Sequence, residues 1–485
     1  MSQDRYSLIN TSTNSNIVEE SGYGSVDNSG DKPKKFKQYI AAFAATLSAL
    51  AAGTVLAWTS PILNDLETGK YRNIKLDSDQ LGWIGSFVML GGMVMCIPTG
   101  FICDILGRKK TLLLLFIPFT IGWLLIIFAE NVLMLYFGRL ITGTAAGACC
   151  VAAPLYTSEI AHKSLRGALS SYFQLMVTVG IFLAYVVGKY LTPVYFTIWC
   201  ASVPFIFIIF FVIQPESPVY LIKRGKYEEA KQALILLRGL HYRIDAELVE
   251  IEGFLKESTQ TSISLIDTFK KRSIIIAFVI SSSLMFFQQF SGINTIILYT
   301  TDIFKASGIS LDANTASIIV GFFQVMATFV ASLVIDKLGR RILLFVSSLF
   351  ITLSIFFLGV YFSLKDRSGM DEDVLGKLGF LPVSALCVFI IAYSVGLGPI
   401  PWVISSEIFP TEIKSIASST AGTFNWFLAF LLTRFYVQIC DYIGQDSTFY
   451  IFGFASMIGI FFVHIFVIET KGKNVSEIQV QLNNY

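Results

Sequence analysis

An all-α membrane protein, with about twelve transmembrane helices in two pseudo-symmetric six-helix bundles, is predicted by three observations. Charged residues are 14% of the chain and hydrophobic residues 54%, whereas soluble domains carry charge on about a quarter of their positions. Apolar windows of about 20 residues, the length that crosses a bilayer, recur along nearly the whole chain. Short charged motifs repeat in the same order in the two halves.

The windows fall at 39–63, 80–103, 111–129, 131–153, 168–190 and 194–213, then at 273–300, 313–335, 342–363, 380–405, 416–440 and 448–468. An even number of spans puts both termini on one side. With that side inside, roughly 26 of the 36 Lys and Arg lie in cytoplasmic segments and about eight in outer loops, as the positive-inside rule requires. Residues 1–38 are a polar tail without the apolar run of a signal peptide, expected to be disordered. Within it, Asp4, Leu8 and Ile9 fit the acidic dileucine pattern DxxxLI, which resembles endosomal and lysosomal sorting signals read by an adaptor. Lys32, Lys34, Lys35 and Lys37 flank the first span and suit contact with anionic lipid. The two bundles are expected at 39–214 and 273–468. A linker at 215–272 joins them, with amphipathic helical spacing at 227–237 and 245–255. A short cytoplasmic tail, 469–485, closes the chain.

The repeat organises the whole. Asp104-Ile-Leu-Gly107-Arg108 follows span two, and Asp336-Lys-Leu-Gly339-Arg340 follows span eight. Glu159 and Arg166 stand seven apart after span four; Glu407 and Lys414 stand seven apart after span ten. Pro215-Glu216-Ser217 and Ile468-Glu469-Thr470 follow spans six and twelve. Three matched features in one order imply a duplicated six-helix unit with a site between the copies. A basic cluster alone would be a topology signal. Carboxylates at fixed separation from cations suggest ion pairs that clasp neighbouring helices, favour closure at the cytoplasmic side and break as the halves rock.

Polar groups inside the spans point to the site. Residues 286–300, FFQQFSGINTIILYT, carry Gln288, Gln289, Ser291 and Asn294 within a long apolar segment. An unsatisfied polar group in hydrocarbon costs several kcal/mol. A straight helix would hold Asn294 about 120° from Gln288, so a break at Ser291-Gly292 is expected to aim the amides together. A lone Gln in a span ordinarily joins helices; two adjacent Gln and an Asn beside a glycine suit a binding site for a polar, uncharged ligand. Span five adds Gln174, span eight Gln324, and span eleven Asn425 and Trp426. Span ten carries Gly396-Leu-Gly398-Pro399-Ile-Pro401-Trp402, where lost helix bonds invite a bend beside an indole able to stack on a ligand. Distributed over both halves, these groups suit a hydroxyl-rich solute.

Other classes are disfavoured. No Asp or Glu stands in the middle of a span, which argues for passive movement over proton symport. The seven cysteines lie in or at the ends of spans and read as small hydrophobes, with no disulfide framework, zinc site or cofactor expected. Neither HExxH nor GxSxG occurs, and nothing suggests an enzyme or nucleic-acid binding. Arg139 and Arg434 are explained by packing partners or by snorkelling.

DILGRKK, GRLITG, PLYTSEIAHKSLRGAL, PESPVYL, QQFSGIN, DKLGRR, GPIPW, SSEIFP and IETKG stand in order from about residue 39 to 480. This set resembles the sugar porters of the major facilitator superfamily. WTSP at Trp58 and GLGP at Gly396 look most like the insect facilitated trehalose transporters and related animal hexose facilitators. The resemblance implies the major facilitator fold, uniport of a neutral sugar such as trehalose or glucose, and a multi-pass protein of the plasma membrane or an endosomal or lysosomal membrane. It implies sugar binding by Gln174, Gln288, Gln289, Asn294, Gln324, Trp402, Asn425 and Trp426. It also implies a cytoplasmic gate at Asp104, Arg108, Glu159, Arg166, Asp336, Arg340, Glu407 and Lys414. Glucose facilitators often have Asn at Gln324, Glu at Ser394, Asn at Ala429, Arg at Lys414 and Pro at Ile468. Two polar contacts are thereby lost and the pocket is reshaped, which leaves the sugar open. The alternatives are proton-coupled sugar symport and a non-transporting sugar receptor, which the short C-terminal tail disfavours.

Overall fold

The computed structural model describes residues 34–162, 165–240, 242–260, 270–307, 312–367, 378–473 and 475–483. The DxxxLI residues Asp4, Leu8 and Ile9 lie outside them. So do the side chains of Arg166 and Asp336.

Among the described residues the elements are helices. The first half comprises α1 (Phe36–Ala57), α2 (Thr59–Glu67), α3 (Ser78–Leu106), α4 (Arg108–Leu114), α5 (Phe116–Ile127), α6 (Val132–Ile160), α7 (Arg166–Tyr190) and α8 (Pro193–Phe211). Three helices follow between the halves: α9 (Pro218–Lys223), α10 (Tyr227–Arg238) and α11 (Ile244–Gln260). The second half comprises α12 (Arg272–Phe290), α13 (Ile293–Ser307), α14 (Ala313–Leu338), α15 (Arg340–Asp366), α16 (Phe380–Val395), α17 (Ile400–Glu407), α18 (Thr411–Ile443) and α19 (Gln445–Phe466), and α20 (Val475–Asn483) ends the described chain. Twelve of these helices or helix pairs are long and apolar enough to cross a membrane. Spans one, three, seven and ten are each two helices in series: α1–α2, α4–α5, α12–α13 and α16–α17.

Local chemistry sets the starts. Asp77 accepts from Gln80 N at 2.7 Å, and Gln80 Oε1 accepts from Asp77 N at 3.2 Å, a capping box that opens α3. Asn131 opens α6 and Asp312 opens α14 in the same way, at 3.0 and 3.1 Å. Small residues let helices touch. A Cβ at Gly143 of α6 would stand 2.3 Å from Val88 O, so α3 and α6 approach at backbone distance.

Arg139 is fully buried rather than snorkelling. Its guanidinium donates to Val55 O at 2.8 Å, Thr59 Oγ1 at 3.1 Å and Ile84 O at 3.3 Å, and lies 5.1 Å from the Trp58 ring centre. It ties α1, α2 and α3 to α6 with bonds that satisfy a buried charge.

The intervening helices ride on the first half. Lys34 N donates to Arg238 O at 2.8 Å, and Arg238 Nη1 donates to Ile160 O at 2.7 Å. On the second half, α20 packs against α12, and Gln479 Nε2 donates to Ile408 O at 2.6 Å. We call this side the terminal face and its opposite the far face.

Across the halves, α3 packs on α18, α7 on α14 and α2 on α13. At the far face Asp79 pairs with Arg434 at 2.6 Å and Lys189 with Asp312 at 3.2 Å. Deeper in, Ser60 and Thr301 hydroxyls meet at 3.0 Å, and Tyr185 Oη donates to Ile297 O at 2.9 Å. The far face is sealed.

Candidate functional site

Span seven breaks where its sequence is weakest. α12 ends at Phe290, Gly292 takes φ +84°, and α13 starts at Ile293. Only glycine adopts that angle freely. The break brings together amides that a straight rod would splay. Asn294 Nδ2 donates to Gln289 Oε1 at 2.7 Å, Gln289 Nε2 to Asn425 Oδ1 at 2.9 Å, and Asn425 Nδ2 to Gln288 Oε1 at 2.7 Å. Gln288, Gln289 and Asn425 are buried, whereas Asn294 is half-buried.

Gln288 also reaches span ten. Its Nε2 donates to Leu397 O at 2.9 Å and Gly398 O at 2.7 Å, carbonyls freed where α16 ends and α17 has not begun. From the other side Ser347 Oγ donates to Ala392 O at 2.7 Å and accepts from Leu397 N at 2.9 Å. Gln288 of span seven and Ser347 of span nine thus complete the hydrogen bonds that span ten loses at its break, as buried backbone requires.

The remaining polar expectations are not part of this chain of amides. Gln174 is half-buried and Gln324 buried, and neither side chain has a hydrogen-bond partner among the described residues. Trp426 lies flat against Gly92 of α3, where a Cβ would meet its ring at 2.7 Å. Its indole N–H is buried without a partner among the described residues. Trp402 keeps 37% exposure and packs beside Gly422, which also faces Cys96 of α3. The two indoles thus follow consecutive turns of the α3–α18 seam. Ser394 Oγ is buried and unpartnered among the described residues, and Ala429 is fully buried.

The repeated charges build two equivalent clusters on the terminal face. In the first half Arg108 donates to Glu159 at 2.8 Å and to Asp104 at 3.1 Å, and the Ser217 hydroxyl donates to Glu159. Glu216 accepts from the backbone N–H groups of Arg108 and Lys109 at 3.0 and 2.9 Å. In the second half Arg340 donates to Glu407 at 3.0 Å and the Thr470 hydroxyl donates to Glu407 at 2.6 Å. Glu469 accepts from the N–H groups of Arg340 and Arg341, both at 3.0 Å. Burial would raise the Glu469 carboxyl, but the N–H groups of Arg340, Lys471 and Arg341 hold it below its ordinary value. Gly107 and Gly339 enter these turns at φ +97° and +92°, and a Cβ there would meet Glu216 Oε2 at 2.5 Å or Glu469 Oε2 at 2.7 Å. The described bonds of Arg108 and Arg340 stay within one half. These pairs join neighbouring helices of one half, α4 to α6 through Arg108 and Glu159 and α15 to α17 through Arg340 and Glu407. Lys414 is exposed and has a partner.

Three sets of residues carry roles that the sequence does not announce. Glu216 and Glu469 stand in the repeat, but spacing alone does not reveal them as caps of α4 and α15. Ser347 gives no signal. Asp79, Lys189 and Asp312 are unremarked singly, Arg434 reads only as a packed or snorkelling cation, and only packing pairs the four across the halves.

Two six-span halves packed on each other, with two broken spans of the second half meeting at a buried group of amides, define the class as a twelve-span carrier fold. The family described as Sugar (and other) transporter matches residues 34–482, and the chain belongs to it. It is similar to the facilitated trehalose transporter Tret1 of Apis mellifera ligustica, with 37% identity over 444 residues, 91% of this chain and 87% of that one. Similarity to Tret1 of Bombyx mori is 36% over 449 residues, 92% and 87% of the two chains. Against Tret1 of Drosophila willistoni identity is 36% over 91% of this chain, which spans about half (50%) of that longer relative. Among solved structures, the proton:xylose symporter XylE bound to 6-bromo-6-deoxy-D-glucose aligns with TM-score 0.74 and 24% identity over 92% of this chain and 99% of that one. A double-Trp XylE mutant aligns at TM-score 0.76 with 23% identity over 92% and 99%. These structural likenesses speak to the fold alone.

Proposed function

We propose that the protein carries a neutral sugar, trehalose or a hexose such as glucose, down its gradient by alternating access, with both termini cytoplasmic and the plasma membrane as its site. One observation carries this reading: four uncharged amides on spans seven and eleven meet at the break of span seven, with no carboxylate among them. Such a group exchanges hydrogen bonds with hydroxyls and needs neither proton nor metal. The relatives named facilitated trehalose transporters support the same class of cargo. Gln288, Gln289, Asn294 and Asn425 form the chain of amides that meets the solute. Gln174 and Gln324 contribute free amides from spans five and eight, and Trp402 and Trp426 supply flat apolar faces. The terminal-face residues Asp104, Arg108, Glu159, Arg166, Asp336, Arg340, Glu407 and Lys414 serve gating by holding the rim of each half in one shape while the halves rock.

Competitive counterflow in proteoliposomes, with glucose, trehalose, fructose and polyols in turn, tests the proposal. Trehalose or a hexose is expected to exchange against its labelled form. Absence of counterflow with every sugar would sink it, and uphill accumulation driven by an imposed pH gradient would establish symport instead.

A further inference from the structure

Among the described residues, two ion pairs at the far face cross between the halves, and the transport reading does not use them. Asp79 at the start of α3 meets Arg434 of α18 at 2.6 Å, and Gln438 Nε2 donates to the same Asp79 oxygen at 2.8 Å. Lys189 at the end of α7 meets Asp312, just before α14, at 3.2 Å, and it also donates to Thr315 Oγ1. Each pair joins one half to the other, and each sits on a different seam. The two seams, α3–α18 and α7–α14, exchange under the internal repeat.

The repeat extends to the ions. Asp77 and Asp312 both cap the helix that begins span two or span eight. In the second half Asp312 caps and pairs at once; in the first half Asp77 caps and Asp79, two residues on, pairs. The cations match too. Counting from the equivalent acids, Lys189 stands 30 residues after Glu159 and Arg434 stands 27 after Glu407, less than one helical turn apart in register. The cations are the sheltered partners, with Arg434 9% and Lys189 27% exposed, whereas Asp79 and Asp312 are 53% and 55% exposed. Arg434 is further held over the Trp83 ring at 4.4 Å. Parting a seam gives up the modest attraction of a partly exposed pair, and on the α3–α18 seam the Arg434–Trp83 contact as well. Parting the seams therefore carries an electrostatic penalty that the apolar contacts alone would not impose.

We propose that Asp79–Arg434 and Lys189–Asp312 form a two-point latch, one on each seam, that holds the far face closed and sets how often the empty carrier opens there. This rests on the alternating-access reading, and it concerns a face that the repeated motifs of the terminal side do not reach. When the halves rock, both pairs part together, because they flank one axis. Disturbing either seam loosens the other.

The test uses the full chain carrying Thr301→Cys, with Cys150→Ser and Cys440→Ser to remove the two half-buried native thiols. Thr301 is 4% exposed and bonded to Ser60 across the seam, so its thiol is reached only when the far face opens. An impermeant thiol reagent is applied to right-side-out and to inverted vesicles, so that the far face is presented in one of the two. Asp79→Asn and Asp312→Asn, which keep the hydrogen-bond acceptors and the α14 cap, are expected to speed labelling from the far face about 3-fold singly and 10-fold or more together. Asp79→Arg combined with Arg434→Asp should return the rate to that of the parent. High salt, which shortens the screening length to about 3 Å at 1 M, should speed the parent and leave the double Asn variant unchanged. Should the double variant label at the parent rate, the latch is overturned. If that pair of changes prevents folding, Lys189→Met with Asp79→Asn takes its place, with the same rates expected and the same outcome overturning the latch. A chain without sugar counterflow whose labelling still follows the latch variants would sink the transport reading and leave the latch standing.

Discussion

Glu469 shows how one carboxylate holds a turn together. It accepts from the first two N–H groups of α15, where unsatisfied donors and the helix dipole both favour negative charge. Its folded pKa lies below the ordinary 4.5, so its contribution is complete above that value and fades as pH falls through the depressed one. Glu469→Gln should therefore cost about 1 kcal/mol of thermal stability at pH 7, and the gap from the parent should narrow on acidification below about pH 4. A melting series in detergent at pH 7, 5 and 3 reads this directly. Gly339→Ala should cost more, about 1–3 kcal/mol, because it combines a positive φ with a Cβ 2.7 Å from the Glu469 carboxylate. Gln289→Ala removes the residue bonded to both Asn294 and Asn425. Sugar KM should rise about 10-fold with membrane insertion unchanged, and unaltered transport kinetics would count against the chain of amides as the site.

At the scale of elements, broken helices matter more than whole ones. The span-seven break is legible in the sequence: polar residues bracket Ser291-Gly292 in a segment too apolar to leave them exposed. The partner of the break is not. Gln289 and Asn425 are 136 residues apart in sequence, and no spacing rule joins amides on two helices whose rotation is fixed by packing. The Gly and Pro residues of span ten predict a bend, and the structure does open it between Val395 and Ile400. That Gln288 and Ser347 fill the opened turn depends on which side chains face it. Gln288→Leu keeps the bulk and strands two buried carbonyls, at a cost of about 1–3 kcal/mol. Reduced melting temperature together with lost transport is expected; a stable, fully active variant would show that water serves Leu397 and Gly398 instead.

The whole molecule is two similar halves, each with its own helices packed beneath it on the terminal face. Composition and apolar periodicity make twelve spans legible, and the repeated motifs make the duplication legible. Contacts between halves are not, since Asp79 and Arg434 are 355 residues apart and neither carries a motif. With the far face sealed and Trp402 37% exposed near the seam, a thiol at Trp402→Cys should react readily with an impermeant reagent from the terminal face, and more slowly when a bound sugar fills the site. Equal reactivity from both faces would contradict a sealed far side.

The chain of amides is mostly satisfied without a guest. Gln288, Gln289 and Asn425 spend their donors on one another and on the opened backbone, so an arriving hydroxyl must replace bonds that already exist. Each replacement gains little, because a typical intramolecular hydrogen bond is worth only about 0.5–1.5 kcal/mol net. Binding should then be shallow, nearer millimolar than micromolar, or about −4 rather than −8 kcal/mol. For a protein that moves cargo instead of storing it, shallowness is an advantage. A solute that settles lightly leaves quickly, and the emptied site heals itself before the next one arrives.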